Sequence, residues 1–474
     1  MAKQWDVEYD DFSGGYWVGK GAQWPHNTWR GLGLMAATDG TGLVPTSAWE
    51  ANSNAFTSDV TGVTLIDGDN AVWGVGGAVD DWSVLTVSTA GAWTTAHTLT
   101  NAGVSLEPGG VIAPVAFNSF LMLPSNTANT LALFPYSGAP SSATTQATFY
   151  RMCAYNSFAF GNAQFSNRVY YCAALNPASW PAANYYDIGG SGATVTCMLE
   201  FGGNLWFGTT EGWYVASGVP GDSFTVRQAN SSLGSAWAVS ADSQLLASNP
   251  FKGTPGYRAL CHSMSGSSRL PIHFGGGVQS STEYYATGMA RLGPWVLLLQ
   301  ASRTWVMDVA TRVWHVVSNP TTFTDIAGGL GAIGSWIVAH DGTYIYRLPI
   351  NPTLTGYTSP SYLSATATLA EYQRNDPFIV RELIAEVELD ANSSTATRTL
   401  TTRVLLPGST DLAIATATAA ATATKSSTWA VAGTNQRATV RHNTDDSVAS
   451  YVAQPEVTLA GVKLRRLIMR CQEV

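Results

Sequence analysis

FYRMCAYNSFAFGNAQFSNRVYYCAALNPASWPAANYYDIGGSGATVTCMLEFGGNLWFGTTEGWYVASG, residues Phe149–Gly218, is the stretch from which the fold can be read. Apolar residues alternate from Tyr155 to Phe160, and Gly161-Asn162 interrupts them. The alternation resumes in Arg168-Val-Tyr-Tyr-Cys172, ahead of Asn176-Pro177 and Trp180-Pro181. Beyond Gly189-Gly190, a strand from Ala193 to Phe201 meets Gly202-Gly203-Asn204. Leu205-Trp-Phe207 then turns through Thr209–Gly212 into Trp213-Tyr-Val215. Side chains on a strand alternate between two faces, so period-two apolarity broken by Gly and Asn spells a run of antiparallel hairpins.

The same theme recurs from residue 51 to residue 350 without repeating its letters. Trp82–Val87, Ser119–Leu123, Trp295–Leu299, Arg312–Val316 and Ser335–Val338 are further apolar runs between turn residues. At roughly 40–50 residues per four-stranded blade, this span holds about six to eight blades, and seven is the expected number. Asn351-Pro and Gly356–Pro360 mark residues 351–364 as a linker. From residue 365 to 474 Trp becomes scarce, and Leu383, Ala385, Val387 and Leu389 alternate with Ile384, Glu386, Glu388 and Asp390. The Ala/Thr run from Ala413 to Thr424 lacks helix caps and reads as strand or loop. The expectation is therefore all-β: a β-propeller of about seven blades at 51–350, followed by a small C-terminal β-sandwich at 365–474. Residues 1–50 carry Trp5, Trp17, Trp24, Trp29 and Trp49 among Gly and Pro, and read as an arm and lead-in to the first blade. Such large aromatics are costly to leave in water, which makes Trp5, Phe12, Trp17, Trp24 and Trp29 candidate interface residues if they do not pack on their own domain.

Of the 474 residues 45% are hydrophobic but only 12% charged, about half the usual share. A surface so poor in charge tends to associate unless partners cover it. The net charge of −8 gives no overall basic footprint for gripping phosphates. The basic residues that do gather, Lys463, Arg465, Arg466 and Arg470 with Arg437 and Arg441, read as strand residues alternating to solvent. Five widely spaced cysteines, Cys153, Cys172, Cys197, Cys261 and Cys471, indicate neither a disulfide framework nor a zinc site. The first residues have no apolar secretory core, and the longest apolar run, Trp295–Leu299, is too short to span a membrane. The expectation is a soluble chain made in a reducing cytoplasm.

Catalysis needs a nucleophile, a base and a group to orient it, or a metal cage. His26, His97, His262, His273, His315, His340 and His442 are scattered, with no His-Glu-x-x-His pair, Gly-x-Ser-x-Gly elbow or phosphate loop. Asp67-Gly-Asp69-Asn70 places oxygens at alternate positions, as a calcium loop does, but lacks the distal bidentate Glu and reads as a hairpin turn. Asp80-Asp81 and Asp445-Asp446 are adjacent pairs that point opposite ways on a strand. No catalytic residue, cofactor or firm metal site is therefore expected. Two carboxylates facing across a cleft would be needed for glycoside hydrolysis. The abundant aromatics leave a sugar-binding face as a second reading.

The succession Asn167-Arg-Val-Tyr-Tyr171, Asn176-Pro, Ser179-Trp-Pro, Asn184-Tyr-Tyr-Asp-Ile-Gly189, Phe201-Gly-Gly-Asn-Leu-Trp-Phe-Gly-Thr209 and Gly212-Trp-Tyr-Val215 resembles the blade motif of bacteriophage tail and head-to-tail structural proteins of the β-propeller type. Asp11-Phe-Ser-Gly-Gly15, with Pro25-His-Asn27 and Trp29, is similar to the opening of those proteins. The resemblance is close over about seventy residues and continues to about Ile350 by rhythm. It implies a non-enzymatic virion component made in the host cytoplasm, part of a tail nozzle or hub around the DNA exit channel. It also implies a homo-oligomer, a hexamer or else a trimer, in contact with other tail or adaptor proteins. No sequence-specific nucleic acid and no membrane span are implied. The alternatives are a minor tail or fibre-type protein that binds a receptor or carbohydrate, and a tail depolymerase.

Overall fold

The computed structural model describes residues 3–13, 15–16, 28–30, 34–36, 42–45, 49–51, 60–65, 72–78, 81–87, 93–100, 115–125, 128–135, 138–231, 237–241, 243–248, 261–265, 268–272, 286–293, 295–300, 302–310, 312–331, 334–349, 365–389, 397–406, 420–421, 425–430, 436–444 and 450–474. Every regular element among them is a β-strand.

Turn chemistry explains how the central stretch folds. Asn156 and Ser157 have φ of 45° and 65°. Two successive left-handed residues make the tight hairpin turn whose twist matches that of the strands it joins. Tyr155–Phe160, read above as one strand, is therefore two: Phe149–Tyr155 pairs antiparallel with Phe158–Ala163, with Tyr155 opposite Phe158. Asn118-Ser119 (46° and 64°) and Gly202-Gly203 (60° and 70°) make the same turn between the first and second strands of the neighbouring sheets.

Six separate four-stranded antiparallel sheets follow from this grammar. The first comprises Val60–Leu65, Val72–Ala78, Asp81–Val87 and Trp93–Thr100, and the second Val115–Phe117, Phe120–Pro124, Thr130–Pro135 and Ser141–Thr144. Phe149–Tyr155, Phe158–Ala163, Arg168–Tyr171 and Tyr185–Asp187 form the third; Val195–Phe201, Asn204–Thr209, Trp213–Ser217 and Thr225–Asn230 form the fourth. The fifth holds Ala238–Ala241, Gln244–Ser248, Cys261–Ser265 and Ser268–Ile272. A sixth run of four paired strands, Gly288–Leu292, Trp295–Gln300, Arg303–Asp308 and Trp314–Ser318, is joined to the terminal strands. In the seventh, Asp325–Gly331, Gly334–His340 and Ile345–Pro349 are completed by Glu50–Ala51, from nearly three hundred residues upstream. From the second sheet to the seventh, the leading strand of each touches that of the next, and the leading strand of the seventh touches that of the first.

Apolar layers between successive sheets hold this arrangement. Leu131, Leu133, Phe149, Met152 and Trp180 pack between the second and third, and Phe160, Val169, Leu205 and Phe207 between the third and fourth. Leu246, Val296, Leu298, Trp305 and Trp314 fill the space between the fifth and sixth. Full burial of each such side chain contributes about 1.5–3 kcal/mol before conformational entropy is subtracted.

The two chain ends build a further unit together. Gln4–Tyr9 pairs with Val462–Glu473, and Thr28–Arg30 with Ala365–Leu369. The long strand Tyr372–Leu389 lies between Gln436–Asn443 and Val462–Glu473, while Ser450–Ala460 pairs with Ala365–Leu369 and Thr397–Leu406. One core serves all of them, with Tyr9, Phe12, Trp29, Leu383, Val387, Leu400, Leu459 and Leu467 buried in it. Within residues 1–50, read as an arm and lead-in to the first blade, the described strands Gln4–Tyr9 and Thr28–Arg30 thus pair with C-terminal strands, and Leu34 lies opposite Val316 of the sixth sheet. Burial is the reason: in Gln4–Tyr9 only Val7 and Tyr9 are fully buried, and the strand completes the sheet that hides them.

Candidate functional site

The most unusual chemistry among the described residues lies where the leading strand of the third sheet begins. Phe149 and Arg151 are opposite Ala163 and Asn162, so Tyr150 is an extra residue, a bulge. In a regular strand Tyr150 and Arg151 would point to opposite faces, and a bulge re-aims a side chain. Here the Arg151 guanidinium carbon lies 4.5 Å from the centroid of the Tyr150 ring and 4.3 Å from that of Trp237, just ahead of the fifth sheet. Arg151 therefore links the start of the third sheet to the residue that precedes the fifth. Arg151 is only 7% exposed, and its Nε and Nη1 have no hydrogen-bond partner; Nη2 donates to Tyr150 Oη at 3.5 Å. Beside it in register, buried Asn162 donates through Nδ2 to Ala163 O and Val195 O, while its Oδ1 accepts nothing. Cation–π contact recovers part of the cost of burying a guanidinium, but does not satisfy its N–H groups.

The terminal unit holds a second constellation. Ser427 Oγ lies 2.8 Å from His442 Nε2, and Thr402 Oγ1 lies 2.7 Å from Nδ1. A hydroxyl beside an imidazole suggests an activated nucleophile, but activation needs a base stabilised as it takes up a proton. The far nitrogen meets a neutral threonine, and burial, with Lys425 nearby, holds the imidazole below its ordinary pKa. What the group does visibly is structural: Thr402 and Ser427 lie on paired strands, and His442 lies on a strand paired with Tyr372–Leu389 instead, so the bridge ties two sheets together.

Phe12 and Trp29 are wholly buried in the chain's own core, and Trp5 is half-buried against Phe378 and Arg374. Trp17, Trp24, Asp67, Asp69 and Asn70 lie outside the described residues. Within the described residues no three His, Cys, Asp or Glu side chains converge on a metal-sized site. The basic cluster is largely matched by acids: Arg470 with Asp6 and Glu382, Arg466 with Glu8 and Glu386, Arg465 with Glu388, and Arg441 with Glu382. Cys172, Cys197 and Cys471 are buried, and burial pushes the Cys471 thiol up to about 12, away from thiolate chemistry. Among the described residues no helix is long and apolar enough to cross a membrane, a statement that does not extend to strands.

Arg151 and Trp237 were not legible as a pair. The signal for the turn beside them was present, since Phe117-Asn-Ser-Phe120 and Tyr155-Asn-Ser-Phe158 repeat one pattern at the same place in successive sheets.

No protein-family model matches the chain, nor does any curated protein. Among solved structures it is similar to Raptor from Chaetomium thermophilum, at 12% identity and a TM-score of 0.46, over 65% of this chain and 30% of that one. It is also similar to the Pan2 WD40 domain from Neurospora crassa, at 11% identity and 0.41, over 72% and 99% of the two chains. The AfRom2 CNH domain is similar at 10% identity and 0.42, over 64% of this chain and 99% of that one.

Proposed function

We propose that the chain is a non-enzymatic structural subunit of a bacteriophage tail. In this reading a seven-bladed propeller and a C-terminal sandwich assemble as a homo-oligomer, six subunits rather than three, in the nozzle or hub around the DNA exit channel. The observation that carries the reading is the work done by the residues of the phage-like motif. Trp180 is buried and donates from Nε1 to Pro177 O at 2.8 Å, while Gln146 Nε2 donates to Trp180 O at 2.7 Å. Asn176 Oδ1 accepts from Ala178 N at 3.1 Å, and Asn167 Nδ2 donates to Gly190 O at 3.0 Å. Arg168 forms a two-pronged pair with Asp187 at 2.8 and 3.0 Å. The polar side chains of the motif close loops, which supports a role in presenting a rigid surface to neighbours.

The succession of leading strands and the completion of the seventh sheet by Glu50–Ala51 support closure into a ring of blades. A surface poor in charge supports burial in an assembly, and a net acidic chain suits a channel along which DNA slides without being held. The test is the native mass of the purified chain by light scattering, with electron microscopy of the same sample. A closed ring of six or three subunits carries the proposal. A monomer that retains host-envelope sugar replaces it with the receptor-binding reading, and release of sugar replaces it with the depolymerase.

A further inference from the structure

We infer that Arg151 anchors a carboxylate-binding site between the third and fifth sheets, walled by Tyr150 and Trp237. The inference is independent of the tail assignment. Three leading strands carry a bulge at the same place, after Val60, Phe149 and Val195. The residue that follows the bulge is Gly62 in the first sheet and Cys197 in the fourth, so the fold itself does not require a cation there. In the third sheet it is an arginine 7% exposed, with Nε and Nη1 unpartnered. A buried guanidinium with bare donors is expensive unless an anion meets it, and its planar fork matches a carboxylate. Phosphate sites usually add a helix N-terminus or further cations, whereas one guanidinium balances one carboxylate. Tyr150 is 39% exposed, which gives the site an edge open to solvent.

The carboxylate can come from a free small molecule or from an Asp or Glu side chain of another protein, and two probes separate these sources. The full chain is titrated at pH 7 and constant ionic strength with sodium acetate, and separately with a capped Gly-Glu-Gly peptide. Sodium chloride is the reference, and thermal shift and calorimetry are the readouts. Saturable binding beyond chloride is expected in at least one arm. Affinity should fall by about tenfold or more in Arg151→Met, with Arg151→Lys, which keeps the charge but loses the fork, in between. Without carboxylate, Arg151→Met should be at least as stable as the parent, because an unpaired buried charge has been removed. A parent chain that responds to both probes only as it does to chloride overturns the inference, as does an Arg151→Met chain that keeps the response. If Arg151→Met does not fold, the parent titration and Arg151→Lys decide.

Discussion

Two buried histidines make the stability of this protein depend on pH. His315, stacked on Trp29 with ring centroids 5.9 Å apart, and His340, whose Nδ1 accepts from Gly342 N at 3.2 Å, are both pushed down to about 4 by burial. Asp308 and Asp341 oppose the shifts without cancelling them. A folded pKa below the unfolded value means that the unfolded chain binds the proton first. The neutral histidines therefore support the fold fully above about pH 6.5, and that support is lost as pH falls toward 4, by up to about 3 kcal/mol each. Asp6 and Asp187, lowered by Arg470 and Arg168, act only below the ordinary carboxylate range, and their exposed pairs are worth little. Urea midpoints at pH 7.5, 5.5 and 4.5 should fall steadily, and the fall should flatten in a His315→Gln, His340→Gln double variant. An unchanged slope in that variant would assign the dependence elsewhere. Packing at Gly161 gives a second residue-scale expectation. A Cβ there would lie 2.6 Å from the Phe149 ring, which is packed against Trp180, so Gly161→Ala should cost about 1–3 kcal/mol in denaturant unfolding.

At the scale of the element, the hairpin turn is the unit that local sequence specifies. Asn156 holds φ at 45° and donates from Nδ2 to Gly218 O at 3.1 Å, so it serves both its own turn and the neighbouring sheet. Asn156→Ala loses the bond and strains the backbone, at a cost of about 1–2 kcal/mol, whereas Asn156→Gly should lose less. Equal losses in thermal unfolding would mean that the turn conformation contributes nothing. Ion pairs along Val462–Glu473 are conspicuous but weak by the same reasoning. Arg470 meets Asp6 at 2.9 Å with both side chains about a third exposed, so a double-mutant cycle should return a coupling of less than about 1 kcal/mol. Alternation and turn residues made these strands legible. The bend at Asn156-Ser157 was missed because Ser is not a usual left-handed residue, and only the second instance at Asn118-Ser119 identifies it as a turn.

Across the whole molecule, the ends of the chain are the fastening. Removing residues 1–51 takes away Val7, Tyr9, Phe12, Trp29, Leu34 and Leu43 from the terminal core and the fourth strand from the seventh sheet. Such a truncated chain should be largely insoluble or should lose cooperative unfolding, which circular dichroism and urea titration would report; a stable, cooperative fold would mean that the remaining sheets hold themselves together. The tryptophans of the first segment showed that it had apolar area to hide, but not where. Trp29 and Phe12 share a core with strands more than three hundred residues away, and Trp29 also stacks on His315, partners that no local pattern encodes.

What the sequence determined by itself was the hairpins and the all-β class, because turn conformation and period-two burial depend on residues a few positions apart. What the tertiary structure alone decided was non-local. Gln4–Tyr9 completes the sheet of Val462–Glu473, Glu50–Ala51 completes the seventh sheet, and Arg151 reaches the ring of Trp237 with two donors left bare. Strand pairing depends on mutual burial and backbone hydrogen bonds that many apolar strands can offer equally well. Only packing the whole chain at once selects which two meet, and which buried polar group is left without a partner.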